Sequence, residues 1–194
     1  MTMVGILKRK AYRIVMGLIF PVAYILTGNR NLPLAIAFFF LLLLLLLEYE
    51  RWRHPGVWKY LLNRSKGIFK KQQGILTGDS YFMISVLLIL VFFQKEVAAS
   101  ALLFLVFGDA GSGIIGTRYG RTKIFSGKTL EGLAGGCLFN IIVALVVFYI
   151  LDVPLLPLAG GALTASFMEV LPLGIDDNLT VGLFSALVMK LLLL

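Results

Sequence analysis

Long apolar runs separated by short polar segments dominate the chain, and they exceed the four to eight residues typical of buried strands. Seven runs predict helices, at 12–27, 32–47, 75–93, 97–116, 133–151, 153–173 and 179–194. At about 1.5 Å per residue most of them approach the roughly 30 Å hydrocarbon core of a bilayer. The last has 16 residues and reaches only about 24 Å. The first follows Lys8, Arg9 and Lys10 in the layout of a signal peptide. Small residues are poorly placed for cleavage before Gly28 and further apolar runs follow, so an anchor is expected. The second includes seven consecutive leucines at 41–47, which predict a lipid-facing surface without chemistry. The sixth carries Pro154, Pro157, a Gly160-Gly161 pair and Glu169. Of the seven it is the one best suited to be broken or re-entrant, and six crossings with one re-entrant segment is the alternative to seven. No internal repeat is visible.

Composition decides where such helices lie. The chain of 194 residues is 59% hydrophobic and 14% charged, with a mean hydropathy of +0.94. Soluble domains are about 45–50% apolar and about 25% charged. A single domain of this size has too little interior to hide the excess, so much of it must face lipid. The expected fold class is all-α, a polytopic integral membrane protein of about seven transmembrane helices, with residues 1–194 forming one transmembrane domain.

The net charge is +8. Its distribution matters more than its size, because short cytoplasmic loops collect Lys and Arg. Alternate segments hold Lys8, Arg9, Lys10 and Arg13, then Arg51, Arg53, Lys59, Arg64, Lys66, Lys70 and Lys71, then Arg118, Arg121, Lys123 and Lys128. Together they carry 15 of the 18 basic residues. A cytoplasmic amino terminus follows, and every substantial loop falls on that face. Arg30 and Lys95 fall on the other, with Lys190 near the end of the last run. The longest polar stretch, 48–74, mixes Trp52, Trp58 and Tyr60 with basic residues. It reads as an amphipathic segment at the headgroup level, serving either as a topology signal or as a lipid-headgroup site. A membrane-surface segment accounts for the positive balance without any nucleic-acid partner. Cys137 and His54 are the sole cysteine and histidine, which excludes a disulfide framework and Cys- or His-based zinc chemistry.

Candidate chemistry lies in two segments. From Gly108 the chain reads GDAGSGIIGTRYGRTKIFSGKTLEG. Its glycines are too frequent for lipid-facing filler, although small residues also serve packed helix interfaces. Glycine lets backbone amides approach phosphate oxygens, and the interleaved Arg and Lys supply counter-charge. The spacing is not a Walker A loop, because no glycine stands five residues before Gly127. Asp109 at membrane depth needs a partner or water. The second segment, EVLPLGIDDN, places Glu169, Asp176 and Asp177 within nine residues. This set suits either a bound Mg²⁺, a hard cation that takes oxygen ligands, or a turn capping the last helix.

The combination GDAGSGIIGTRYG…SGKTLEG with EVLPLGIDDNLT resembles the CTP-dependent polyprenol kinase family of dolichol, phytol and diacylglycerol kinases. LTGDSYF at 76–82 resembles that family's third-span entrance. The resemblance implies a lipid-kinase-like membrane domain. It would phosphorylate a lipid alcohol from CTP with Mg²⁺ or another divalent cation, among membrane lipids, with homo-oligomerisation left open. It implies nucleotide binding by Gly108, Gly111, Gly113, Gly116, Arg118, Gly120, Arg121, Lys123, Thr129 and Glu131. Asp109, Lys128 and Asp177 are implied as catalytic, and Asp109, Glu169, Asp176 and Asp177 as metal ligands. Asp109 can serve as ligand or as orienter of the acceptor hydroxyl. The implied location is a prokaryotic cell membrane with a cytoplasmic active site. One departure is that the family's histidine after an Arg-Lys pair is missing: Arg9-Lys10 is followed by Ala11, Tyr12 and Arg13.

Phosphatidate cytidylyltransferases are the nearest alternative, since they share a GD-type glycine segment followed by KTxEG. The chain lacks their carboxyl-terminal histidine-glycine-aspartate-arginine signature. A transporter or non-catalytic membrane protein is the third reading.

Overall fold

A computed structural model describes residues 3–56 and 76–194. Among them are seven α-helices: α1 (Met3–Thr27), α2 (Asn31–Arg53), α3 (Gly78–Phe92), α4 (Lys95–Tyr119), α5 (Leu130–Leu151), α6 (Leu155–Val170) and α7 (Asp177–Leu192). A 3₁₀ turn at Phe125–Gly127 interrupts the loop after α4. The protein is an all-α membrane protein. Gly5–Thr27, Asn31–Arg53, Lys95–Tyr119 and Leu130–Leu151 are long and apolar enough to cross a bilayer, and α3 and α6 are shorter apolar helices.

Each predicted run holds one helix, and side-chain caps set several of the ends. Thr77 accepts from the Ser80 amide at 3.4 Å and starts α3. Thr129 accepts from the Gly132 amide at 3.1 Å and starts α5. Asp176 accepts from the Asn178 amide at 3.0 Å and starts α7. Such caps satisfy amides that the first helical turn leaves without partners. α1 begins well before the predicted 12, so Lys8, Arg9 and Lys10 are helical. α2 runs on to Arg53, which draws Glu48 and the exposed Trp52 into a helix. The rest of the predicted amphipathic stretch, with Trp58 and Tyr60, lies outside the described residues.

The sixth run forms one unbroken helix over Leu155–Val170. Pro154 occupies the N-cap of α6 and Pro157 its first turn, where a missing N–H removes no intrahelical bond. The prolines therefore start this helix rather than break it. Gly160 and Gly161 let α7 approach: a Cβ at Gly161 would lie 2.7 Å from Met189 Sδ. Ser185 Oγ donates to the Gly161 carbonyl at 2.9 Å across the same contact.

α4 is the central helix, packed by α1, α3, α5, α6 and α7, while α2 lies outside against α1 and α3. The leucine run behaves as predicted. Leu42, Leu43, Leu45, Leu46 and Leu47 are exposed, and only Leu41 and Leu44 pack toward the cluster around Phe20, Met83 and Val86.

Glu48 is the exception on this lipid-facing helix. It is buried, and its Oε1 accepts from the Thr77 amide at 2.5 Å and from Ser80 Oγ at 3.0 Å. Arg51 Nε lies 2.8 Å from its Oε2. One carboxylate thus ties the end of α2 to the cap of α3, beside Asp79. Glu48→Gln keeps the volume but places an amide against Arg51. Loss of charge-assisted bonds should cost about 2 kcal/mol. The thermal unfolding midpoint in detergent should fall by about 5 °C. An unchanged midpoint would show that the buried carboxylate does not hold the cap.

Candidate active site

Successive helices alternate in direction, which brings α1, the start of α3, the end of α4, the 120–129 loop and the α6–α7 turn to one pole of the bundle. Lys10 and Arg13, three residues apart on α1, share a face that meets α4 at Asp109. Lys10 Nζ lies 2.6 Å from Asp109 Oδ1 and donates to the Asp109 carbonyl at 2.7 Å. Arg13 Nη1 donates to Asp109 Oδ2 at 3.3 Å, and its Nη2 lies 3.7 Å from Asp79 Oδ1 in the first turn of α3. The Lys10 side chain is 7% exposed and that of Asp109 22%. Pairing is what makes a carboxylate tolerable at this depth. Gly113, one turn beyond Asp109, clears the path of the lysine, since a Cβ there would lie 2.7 Å from Lys10 Nζ.

A second ion-pair group faces the first. Lys128 follows the 3₁₀ turn, whose last residue, Gly127, has φ +76°. The lysine Nζ lies 2.8 Å from Asp177 Oδ2 and donates to the Glu169 carbonyl. Glu169 is buried at the end of α6 and accepts a hydrogen bond from Ser112 Oγ of α4. Lys128 thereby joins the loop to both sides of the α6–α7 turn.

Three hollows meet between these groups. A polar cavity of about 230 Å³ is lined by Lys10, Ser112, Gly113, Gly116, Lys128, Thr129, Glu169 and Asp177. A narrow apolar crevice of about 60 Å³ runs between Met16, Phe40, Leu44, Phe82 and Met83, with Arg13 and Asp79 among its lining residues. A small gap of about 10 Å³ lies among Leu105, Glu169, Asp177 and Asn178. Asp109 lines all three. The arrangement can hold a phosphorylated polar ligand on one side of Asp109 and an apolar chain on the other.

The glycines act differently from the sequence expectation. Gly108, Gly111, Gly113 and Gly116 lie inside α4, where amides bond to carbonyls four residues back, so they do not free amides for phosphate. Gly108, Gly111 and Gly116 bring α4 onto α5, whereas Gly113 faces Lys10 of α1. A Cβ at Gly111 would lie 2.7 Å from the Gly135 carbonyl oxygen, and one at Gly116 would lie 3.2 Å from Gly132 Cα. Gly108 faces the buried Asn140. Close approach through small residues is how membrane helices pack tightly. Gly113 and Gly116 reach the polar cavity by leaving room, whereas Gly108, Gly111 and Gly120 do not line it.

Other expected residues divide similarly. Thr129 caps α5 and lines the cavity. Glu131 accepts from the amides of Arg121 and Thr122, each at 3.1 Å, and so closes the loop. Arg118, Arg121 and Lys123 are exposed and do not line the cavity. Asp176 is taken up by its cap on Asn178. Among the described residues no group of three or more Asp, Glu, His or Cys side chains could hold a metal by themselves. The expected four-carboxylate set therefore does not converge. Asp109, Glu169 and Asp177 do border one gap. That donor set fits a Mg²⁺ arriving on nucleotide phosphates, which needs only one or two protein carboxylates. Asp177 would hold it, which leaves Asp109 for the acceptor.

Lys10, Arg13, Asp79 and Ser112 were not among the expected site residues. The available signal was the position of Arg13 inside an apolar run, where a charge carried only for topology has no reason to stand.

The cytidylyltransferase family model matches residues 3–193. No curated protein and no solved structure matches the chain.

Proposed function

The chain belongs to the cytidylyltransferase family, and from that premise we propose that it transfers the terminal phosphoryl group of CTP to the hydroxyl of a membrane lipid alcohol. Membership supports an enzyme that uses CTP; the donor, the reaction and the acceptor are our reading. The observation that carries it is the charge around the apolar crevice. Arg13 is balanced there by Asp79 and Asp109, and Lys10 lies on the far side of Asp109. A neutral hydroxyl suits such a balanced end. A lipid phosphate would bring further negative charge without surplus cations to receive it.

In this reading the lipid lies in the crevice with its hydroxyl at Asp109, and the triphosphate lies in the polar cavity against Lys128. The hydroxyl oxygen bonds to the γ-phosphorus as the bond from that phosphorus to the bridging oxygen breaks. CDP leaves with the electron pair, and the hydroxyl proton passes to the Asp109 carboxylate. Lys10 and Arg13 hold that carboxylate in place, and Lys128 meets the charge that spreads onto the phosphoryl oxygens. A bound divalent ion supplies charge neutralisation on the triphosphate.

The second reading, favoured by the family match, is cytidylyl transfer. There a lipid phosphate oxygen attacks the α-phosphorus and pyrophosphate leaves. A paired labelling assay separates the two. Purified protein with γ-labelled CTP, Mg²⁺ and a panel of polyprenols, phytol and diacylglycerol is expected to yield labelled lipid phosphate. Label entering lipid from the α-phosphate, with phosphatidic acid as acceptor and pyrophosphate released, would replace the kinase reading by the second.

The basic-residue blocks support a cytoplasmic active site. In a Cys137→Ser background, a cysteine at Thr122 should react with an impermeant reagent only from the cytoplasmic side, and one at Asn29 only from the other. The reverse pattern would overturn this orientation.

A further inference from the structure

The three cations that stand outside the basic segments, Arg30, Lys95 and Lys190, come from parts of the chain far apart in sequence, yet they line a single cavity. That cavity, about 720 Å³, lies at the pole opposite the active site and is within the size range of small-molecule sites. Arg30 immediately precedes α2, Lys95 opens α4, and Lys190 lies in the last turn of α7. Lys95 pairs at 3.6 Å with Glu96, a partly exposed neighbour. Among the described residues no carboxylate lies within ion-pair distance of Arg30 or Lys190. Lys190 Nζ lies 5.8 Å from the centroid of the Phe93 ring. Lys95 is met in part by Glu96, whereas the charges of the exposed Arg30 and Lys190 are met by solvent or by an anion that the cavity admits. Cations are scarce on this face of the protein, so their convergence calls for a reason beyond topology.

We infer that this cavity binds the phosphate headgroup of an anionic glycerophospholipid in the leaflet opposite the active site. The level of the cations supports a lipid over a free anion, because Arg30 and Lys95 stand at the ends of helices long enough to span the bilayer. That places them at the headgroup boundary. The rim supports it too: Val91 and Phe92 are exposed, and they offer an apolar wall on which an acyl chain can lie.

The test places a reporter in the cavity. Phe93→Trp, in a Trp52→Phe/Trp58→Phe background, is reconstituted in phosphatidylcholine vesicles containing brominated phosphatidylglycerol or brominated phosphatidylcholine. Brominated phosphatidylglycerol is expected to quench the tryptophan at a mole fraction at least about tenfold lower, given roughly fivefold in binding per cation near a phosphate. Arg30→Gln/Lys95→Gln/Lys190→Gln should abolish that preference. Lys95→Arg/Lys190→Arg should retain it, and it guards against loss through misfolding. Equal quenching by the two lipids, or a preference that survives in the triple glutamine variant, would overturn the site. Displacement by excess inorganic phosphate without any lipid preference would assign the cavity to a soluble anion and overturn the lipid.

Discussion

Asp109→Asn is expected to lower turnover by about three orders of magnitude, the middle of the range for removing a positioned proton acceptor. It is also expected to destabilise the protein, because Asp109 is the shared partner of Lys10 and Arg13. Lys10 is nearly buried, and a cation left without its partner at such depth costs about 3–5 kcal/mol. The two effects can be separated. Lys10→Met removes the stranded charge, so Asp109→Asn/Lys10→Met should recover most of the lost thermal stability in detergent. Its turnover should nonetheless stay far below that of Lys10→Met alone, since the carboxylate at the acceptor is still missing. Comparing the initial rate and the unfolding midpoint across the three variants is the measurement. Recovery of the Lys10→Met rate in the double variant would make Asp109 a structural partner only, and the acceptor would have to lie elsewhere.

The second large effect is again a loss of rate, with a smaller loss of stability. Lys128→Met is expected to reduce kcat/KM for CTP by about two to three orders of magnitude, corresponding to about 3–4 kcal/mol of lost transition-state stabilisation. It should also cost about 1–3 kcal/mol of stability, because Lys128 leaves not only the part-exposed Asp177 but also, at 3.8 Å, the buried Glu169. Lys128→Arg keeps the charge but replaces a compact ammonium by a planar fork, so it should fall between wild type and Lys128→Met. CTP titrations at saturating lipid, paired with thermal unfolding, test this. Activity of Lys128→Met within a few-fold of wild type would remove Lys128 from the nucleotide site and reduce it to a tie between the loop and the α6–α7 turn.

Much of the fold was legible in the sequence because helix formation in a bilayer is decided locally. Without water to solvate amides, an apolar run must close its own hydrogen bonds. The seven runs therefore mark seven helices, and Thr77, Thr129 and Asp176 stop or start them by short-range capping. The element that the sequence leaves most open is α6. Pro154 and Pro157 together with a glycine pair look like a break in a run, and the proline positions relative to the true first turn decide the opposite.

Of the candidate site, the residues that must do something were visible. Asp109 and Glu169 stand in apolar surroundings, and Lys128 and Asp177 stand beside them in the two polar segments. An intramembrane charge is costly by itself, so its presence announces a partner. The partner's identity was not visible. Lys10 read equally well as a topology charge, Arg13 gave only its position inside an apolar run, and Glu48 looked like the polar end of a leucine run. The glycines were read as phosphate-binding for the same reason: a small residue serves a ligand or a neighbouring helix equally well until the neighbour is known.

The sequence by itself determined an all-α membrane protein, the order of its helices and the set of groups that could not remain unpaired in lipid. Only the tertiary structure decided that Asp109 meets Lys10 and Arg13 across 99 and 96 positions of chain, that Gly111 and Gly116 seat α4 on α5, and that Asp176 caps while Asp177 faces Lys128. The physical reason is one of range. Backbone hydrogen bonding and transfer from water to lipid act along a single segment and can be read residue by residue. Which faces meet depends on close packing summed over many weak contacts, and the cost of a buried charge requires a counter-charge without specifying which residue supplies it.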